Sequence, residues 1–131
     1  ETSDRQGLLG FYTRADNRWT LADLTEAGKK RLAELAADRS EDWRGLGVGI
    51  LHRLVIEGLL GAKDLPKPGY VHLVEEVIAD LKAEDYPLAA LVMPPRLDQI
   101  QAVSEHLERM PAKSTYFYPK LLSGLVFHSL E

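Results

Sequence analysis

The fold class follows from one apolar stretch, Pro87-Leu88-Ala89-Ala90-Leu91-Val92-Met93-Pro94. Six consecutive apolar residues between two prolines are typical of a short strand that is covered on both faces of a sheet. Strands of this kind usually have a parallel neighbour, so the stretch predicts an interior strand. At the edge of a sheet, the same run would invite aggregation.

Helical periodicity on both sides of this strand predicts a βαβαβ unit with right-handed crossovers. Apolar residues recur at i, i+3, i+4 and i+7 from Val74 to Leu81, the pattern of an amphipathic helix. A second helix begins after Pro94-Pro95 and ends before Pro111. Two further strands are predicted at Tyr70–Leu73 and Gly124–His128. The residues expected to face inward from the second helix are Leu97, Ile100, Val103 and Leu107.

The first half of the chain predicts a hairpin followed by helices. Two apolar-rich runs, Leu8–Thr13 and Arg18–Leu24, flank the turn-forming residues 15–17. Thr25 is placed to cap a helix, and residues 46–60 form a largely apolar central helix that Gly61 ends. The predicted fold class is therefore α/β (α+β): a mixed sheet with an N-terminal antiparallel hairpin followed by βαβαβ, and helices packed on the sheet.

Length and composition bound the organisation and exclude several classes of function. The 131 residues, of which 45% are hydrophobic, suit a single domain (1–131), and an initial Glu1 suggests a C-terminal fragment of a longer protein. A formal net charge of -4 provides no basic field, so nucleic-acid binding is disfavoured. The absence of cysteine excludes disulfides and thiolate chemistry. Residues 46–60 are too short and too charged to span a bilayer, and with no secretory signal we expect a cytoplasmic protein.

The least ordinary segment is residues 109–120, Arg-Met-Pro-Ala-Lys-Ser-Thr-Tyr-Phe-Tyr-Pro-Lys. Cations beside hydroxyl donors can hold a phosphate or carboxylate through charge-assisted hydrogen bonds. If the segment is extended, Lys113 and Thr115 project to one side and Ser114 and Tyr116 to the other. The alternative is a surface strand whose Tyr and Lys side chains cover the core. The candidate anion-binding residues are Lys113, Ser114, Thr115, Tyr116, Tyr118 and Lys120, supported by Arg109.

Known nucleotide and metal motifs do not explain this segment. Lys113-Ser114-Thr115 is similar to the end of a phosphate-binding P-loop, but that motif needs glycines where Ala112 and Leu107 stand. His/carboxylate groupings elsewhere lack the spacing of metal ligands, so no metal is predicted, and the sequence identifies no cofactor.

Three polar residues, His52, Arg53 and Glu57, interrupt the apolar central helix. Arg53 and Glu57 are four residues apart and can form an ion pair, which would avoid the cost of a buried lone charge. His52 points away from both, so a His–Glu catalytic pair within this helix is disfavoured. The alternative is that these residues support a site completed by another segment.

The segment 109–120 resembles the end of an uncharacterised family, domain of unknown function 1015. Its members close with a Met-Pro-x-Lys-Ser-Thr-x-Phe-x-Pro-Lys motif that runs into Gly-Leu-Val, here Gly124-Leu125-Val126. Residues 51–57 are also similar to a family helix that begins Leu-His, and a weaker likeness covers most of the chain. One departure is Leu107, where the family pattern has a glycine.

The resemblance implies part of a site. The family's Asp-Gly-His-His-Arg segment, on which its likeness to ParB and SpoOJ proteins rests, lies upstream and does not occur in this chain. Relatives of those proteins include nucleotide-dependent enzymes. We therefore expect either the C-terminal part of an intracellular enzyme that binds a phosphorylated or carboxylated small molecule, with nucleotide-dependent phosphotransfer as one form, or a non-enzymatic assembly module with residues 109–120 as its interface. The expected partners are an upstream domain of the same polypeptide and an anionic small molecule.

Overall fold

The structure, a computed structural model, describes residues 5–62, 68–71, 74–83 and 86–116. In these ranges the chain has an α+β fold, with helices packed on an antiparallel sheet, which confirms the predicted class. The elements are β1 Leu8–Thr13, β2 Arg18–Asp23, α1 Glu26–Leu35, α2 Glu41–Arg44, α3 Gly47–Gly49, a π-helix Ile50–Leu59, α4 Val74–Ala83, β3 Leu88–Leu91 and α5 Leu97–Glu105.

The predicted hairpin is confirmed, and its first strand, β1, is the central strand of the described sheet. β1 pairs with β2 in an antiparallel register that runs from Leu8 opposite Asp23 to Thr13 opposite Arg18. The connecting turn ends at Asn17, whose φ of 52° lies in the left-handed region that asparagine tolerates. The sequence pattern and the turn chemistry therefore agree at this point.

The described neighbour of β3 is antiparallel, and the predicted strand 124–128 that would be a parallel neighbour lies outside the described residues. The strand order is β2-β1-β3, and β3 pairs antiparallel with β1, with Gly10 opposite Leu91. In the described ranges the sheet is antiparallel rather than mixed, and β3 is an outer strand rather than an interior one. An apolar run indicates that both faces of a strand are buried, but it does not indicate whether the neighbouring strand is parallel or antiparallel. Both faces are covered here, because Leu91 and Val92 pack against different apolar clusters.

The complete βαβαβ unit remains a prediction. Its two helices are present as α4 and α5, on either side of β3. Tyr70 and Val71 belong to no strand, which leaves the predicted strand 70–73 without support in its described half. Residues 72–73 and the predicted strand 124–128 lie outside the described residues.

Two apolar clusters lie on opposite faces of the sheet. The larger one joins β1 to α1, α2, the central helix and α5, and its buried members are Leu9, Leu32, Ala36, Trp43, Leu46, Ile50, Leu54 and Val103. The smaller one packs α4 on the other face through Tyr12, Val77 and Leu81. The predicted inward face of α5 is wrong at both ends, because Leu97 and Leu107 are 73% and 95% exposed. The helix stops at Glu105, so Leu107 no longer follows its periodicity.

The central helix is present but differs from an α-helix over most of its length. After the α-helical turn Gly47–Gly49 it continues as a π-helix from Ile50 to Leu59, and the Leu60 amide still bonds the carbonyl of Val55 at 2.9 Å. Of the π-helical residues, Ile50 and Leu54 are buried, so fewer residues of this helix are buried than the sequence predicts. Gly61, with φ 64°, follows its end as predicted.

None of the described helices is long and apolar enough to cross a bilayer.

Candidate functional site

The described part of the candidate site is the segment that follows α5, residues 106–116, called here the post-α5 segment. Long-range hydrogen bonds fix its first half to α2. The Trp43 indole N–H donates to the carbonyl of Arg109 at 3.1 Å, and His106 Nε2 lies 2.9 Å from Asp42 Oδ2. Met110 packs against the larger apolar cluster. These contacts hold the segment in a defined position beside α2.

The strongest polar contact of the segment is between Glu108 and Ser40. The amide and hydroxyl of Ser40 donate to the two carboxylate oxygens of Glu108, at 2.9 and 2.6 Å. Ser40 also caps α2, because its hydroxyl oxygen accepts from the Trp43 amide at 3.1 Å. The Ser40 hydroxyl is the main cause that holds the pKa of Glu108 below its ordinary value, helped by the Ser40 amide and by the charges of Arg39 and His106, while partial burial acts the other way.

A tight turn at residues 111–114 shapes the second half of the segment. The amide of Ser114 donates to the carbonyl of Pro111 at 3.3 Å, and the Ser114 hydroxyl donates to the same oxygen at 2.6 Å. Lys113 has φ 60°, and a left-handed residue at the third position alone marks a type II turn. Because Ser114 is buried and its proton is used within the turn, we assign its hydroxyl a structural role.

This turn corrects the expectation of an extended segment. The chain reverses at residues 112–113, so Lys113 and Thr115 do not belong to one continuous strand face. The reversal leaves the side chains of Arg109 and Lys113 exposed. Within the described ranges neither cation makes a side-chain hydrogen bond or ion pair. The two therefore offer positive charge to the solvent.

The structure gives less information on the other predicted ligand-binding residues. Thr115 is half-buried, and Tyr116 is exposed. Tyr118 and Lys120 lie outside the described residues. The described site therefore rests on Arg109 and Lys113.

The predicted ion pair in the central helix is confirmed. Arg53 Nη1 lies 2.9 Å from Glu57 Oε2, and its Nη2 lies 3.4 Å from Asp38 Oδ1. The two side chains are 33% and 39% exposed, so such an i,i+4 pair is worth only about 0.5 kcal/mol, because water screens it. His52 is half-buried. In the described part of the chain no hydrogen bond or ion pair joins His52, Arg53 or Glu57 to Arg109 or Lys113, so their supporting role stays a prediction.

Two clefts in the described structure have ligand-sized volumes, and the post-α5 segment lines neither. One, of about 430 Å³, is polar and lies between α2 and α5; its lining residues are Gln6, Gly7, Glu41, Asp42, Gly45, Arg96, Asp98, Gln99 and Ala102. Three carboxylates outnumber its one arginine, and Arg96 Nε already bonds Asp98 at 2.9 Å, so the cleft does not favour an anion. The other, of about 380 Å³, is apolar and lies between the hairpin and the helices; it is lined by Gly7, Leu9, Phe11, Ala22, Asp23, Leu24, Thr25, Ala27, Gly28, Ile50, Leu54, Val55 and Leu59.

Sequence reasoning missed Gln6, a buried polar residue beside the polar cleft. Its Oε1 accepts from the Gly47 amide at 2.9 Å, and its Nε2 donates to the carbonyl of Pro94 at 3.0 Å. Gln6 thereby joins the start of the central helix to the chain entering α5. Its partners are about 41 and 88 residues away in sequence, so no local pattern marks it.

Comparisons with protein-family models, with curated proteins and with solved structures find no match for this chain. Among the described residues, no group of three or more histidine or acidic side chains is arranged to hold a metal ion.

Proposed function

We propose that this chain is the C-terminal part of a cytoplasmic enzyme, and that its post-α5 segment helps to bind a phosphorylated or carboxylated small molecule. The observation that carries the proposal is Lys113, an exposed lysine in the left-handed conformation of a type II turn. Among the described residues, its ammonium group has no partner of its own.

A lysine at position 113 is less favourable for the stability of the fold than a glycine would be. Left-handed backbone costs an ordinary residue about 1–2 kcal/mol, whereas glycine adopts it freely. Side-chain burial gives no compensation, because Lys113 is exposed. Strained residues concentrate at binding and catalytic sites, where the strain positions a functional group. Lys113 fits this description better than that of a structural residue.

The surroundings of Lys113 favour a defined site over a mobile charge. Ser114 closes the turn on Pro111, and Trp43 fixes the backbone at Arg109. The backbone from Arg109 to Ser114 is therefore held at both ends, and two cations project from it in a chain of net charge -4. Charge-assisted bonds to phosphate or carboxylate gain from such pre-organisation.

Under this proposal the described residues provide one side of the site. We expect the remaining ligand contacts and any acid–base group to come from an upstream domain of the same polypeptide, as the family resemblance implies. Nucleotide-dependent phosphotransfer is the reaction class suggested by the resemblance of residues 109–120 to domain of unknown function 1015, with His52, Arg53 and Glu57 as supporting residues.

A second candidate function is a non-enzymatic assembly module. Leu107 and Tyr116, 95% and 54% exposed, lie in the same segment as the two cations. Exposed apolar side chains beside cations suit an interface with an acidic protein surface. In that case Lys113 would contact a partner domain in place of a small molecule.

The test is calorimetric titration of the intact polypeptide with ATP, inorganic phosphate and citrate. We expect at least one probe to bind, and Lys113→Ala to weaken that binding about tenfold or more, because a charge-assisted hydrogen bond contributes roughly 1.5 to 3 kcal/mol. Lys30→Ala removes an exposed lysine from α1 and serves as the matched control, with unchanged affinity.

Two results would contradict the proposal. Equal affinities of the wild type and Lys113→Ala for the bound probe would remove Lys113 from the site. Absence of binding to all three probes, together with loss of interdomain contact in Lys113→Ala as measured by limited proteolysis, would establish the assembly function instead.

A further inference from the structure

The outer strand β2 is the most accessible regular element of the sheet. All six of its residues, Arg18–Asp23, are exposed, and one of its edges pairs with β1. Within the described ranges no strand pairs with the other edge. In the described part of the chain, that edge presents amide and carbonyl groups without a strand partner, which is a template for pairing with another strand.

The side chains of β2 lack most of the features that protect edge strands. The strand contains no proline or lysine, and its charges stand only at its ends, at Arg18 and Asp23. Trp19 and Leu21, two residues apart and therefore on one face, are 40% and 73% exposed. The Trp19 ring rests on Tyr12, with ring centroids 5.2 Å apart, and so has a fixed position. The edge thus combines free backbone groups with a positioned apolar surface.

We propose that β2 pairs with β2 of a second copy of this chain, antiparallel, about a two-fold axis at Thr20. A two-fold axis that joins two sheet edges stands perpendicular to the sheet, so each face continues into the same face of the other copy. Residues that lie opposite each other across the two copies must project to the same face, so their residue numbers differ by an even number. A centre at Thr20 places each Trp19 opposite Leu21 of the second copy, whereas a centre at Leu21 places each Trp19 opposite Asp23 of the second copy.

Side-chain complementarity selects the centre at Thr20 and the second copy as occupant. Each Trp19 then packs against Leu21 of the second copy, which gives two cross-strand aromatic–aliphatic pairs. Antiparallel pairing places Arg18 opposite Ala22 of the second copy, whereas in-register parallel pairing would place like charges opposite each other at both ends. The exposed apolar residues of β2 are therefore complementary to those of its own antiparallel copy.

Pairing over five residues, 18–22, buries a small area, so we expect a weak dimer that forms at high protein concentration. The prediction is sedimentation as a monomer at micromolar concentration, with dimer appearing on the order of 1 mM. Leu21→Lys should abolish the dimer without harm to the fold, because the Leu21 side chain is mostly in solvent.

Cysteine cross-linking tests the register directly, because the chain contains no native cysteine. In the proposed dimer the two copies of residue 20 face each other with Cα atoms about 4.5–5.5 Å apart, within reach of a disulfide. The two copies of residue 22 are about 13 Å apart, which is too far. Under mild oxidation at high concentration, Thr20→Cys should therefore give a covalent dimer, and the matched control Ala22→Cys should not.

Three outcomes would overturn the proposal. One is a monomer at all concentrations together with no cross-linking of Thr20→Cys, as expected if another segment or a different partner occupies this edge. The second is equal cross-linking of the two cysteine variants, as expected of random collisions. The third is a dimer that survives Leu21→Lys, which would place the interface elsewhere. None of these bears on anion binding by Lys113, which is measured separately.

Discussion

The hairpin turn and the post-α5 segment both contain left-handed residues, but only the hairpin has a residue type suited to that conformation. Asn17 has φ 52°, and its side-chain oxygen accepts a hydrogen bond from the Tyr12 hydroxyl. Leu107 and Lys113 have φ 57° and 60° without such help. The difference indicates that the hairpin forms from its own sequence, whereas the post-α5 segment is held in shape by contacts from elsewhere.

Those contacts come mainly from residues 39–44, about 65 positions earlier. Ser40 binds the Glu108 carboxylate, and Trp43 binds the Arg109 carbonyl. The Arg39 guanidinium also lies over the Trp43 ring, 5.3 Å from its centroid. A segment held in this way can keep strained residues whose side chains serve another purpose.

The largest effect is expected from removal of the anchor at Trp43. Trp43→Ala should destabilise the fold by about 3 kcal/mol or more, because it leaves a cavity in the larger apolar cluster and removes the bond to Arg109. Trp19→Ala, at the exposed tryptophan of the hairpin, is the control and should cost far less. Urea denaturation of both variants at low concentration gives the comparison. Similar losses would mean that the segment is no more dependent on long-range contacts than the hairpin.

A second, smaller effect should depend on pH through Glu108. Its pKa is lowered in the fold, so the stability it contributes is fully present above the ordinary value of 4.5 and is lost as the pH falls through the lowered value. Glu108→Gln should therefore be less stable than the wild type at pH 7, by about 1 kcal/mol, and the gap should narrow below pH 4.5. Glu105→Gln, which removes an exposed carboxylate from α5, is the matched control at each pH. If the stability difference between the wild type and Glu108→Gln stays constant down to the pH of acid unfolding, the Glu108 carboxylate does not hold this segment in place.

A third prediction reverses the usual sign of a substitution to glycine. Leu107→Gly should stabilise the protein by about 1 kcal/mol, because it relieves left-handed strain and loses almost no burial. Asn17→Gly should give no gain, because asparagine tolerates this conformation and also accepts the Tyr12 hydrogen bond. Thermal denaturation of the pair measures the contrast. Destabilisation by Leu107→Gly would indicate that the exposed leucine makes a contact worth more than the strain.

The parts of the fold that sequence predicts are those encoded locally. The hairpin follows from its turn residues, and the amphipathic repeat predicts α4, whose inward residues Val77 and Leu81 are buried. The direction of the neighbour of β3 depends on tertiary pairing, which an apolar run does not encode. The periodicity of α5 likewise gives no sign that the helix stops before Leu107.

The candidate site was predictable in composition and not in geometry. The cations and hydroxyls of residues 109–120 indicate the candidate site, and the alternation of side chains predicts an extended strand there. Hydrogen bonds from Ser114 to the Pro111 carbonyl instead close a turn. The sequence Pro-Ala-Lys-Ser does not predict this turn, because it lacks the glycine that usually marks a type II turn. That same missing glycine is the reason to regard Lys113 as functional.

The most direct test of this account is Lys113→Gly, measured for both stability and affinity in the intact polypeptide. We expect effects of opposite sign: an increase in unfolding free energy of about 1 kcal/mol from relief of strain, and about tenfold weaker binding of whichever of ATP, phosphate or citrate binds the wild type. Lys113→Arg should keep both properties close to the wild type. A Lys113→Gly protein that is more stable and binds the probe as tightly as the wild type would contradict the central claim that Lys113 is strained for the sake of an anionic ligand.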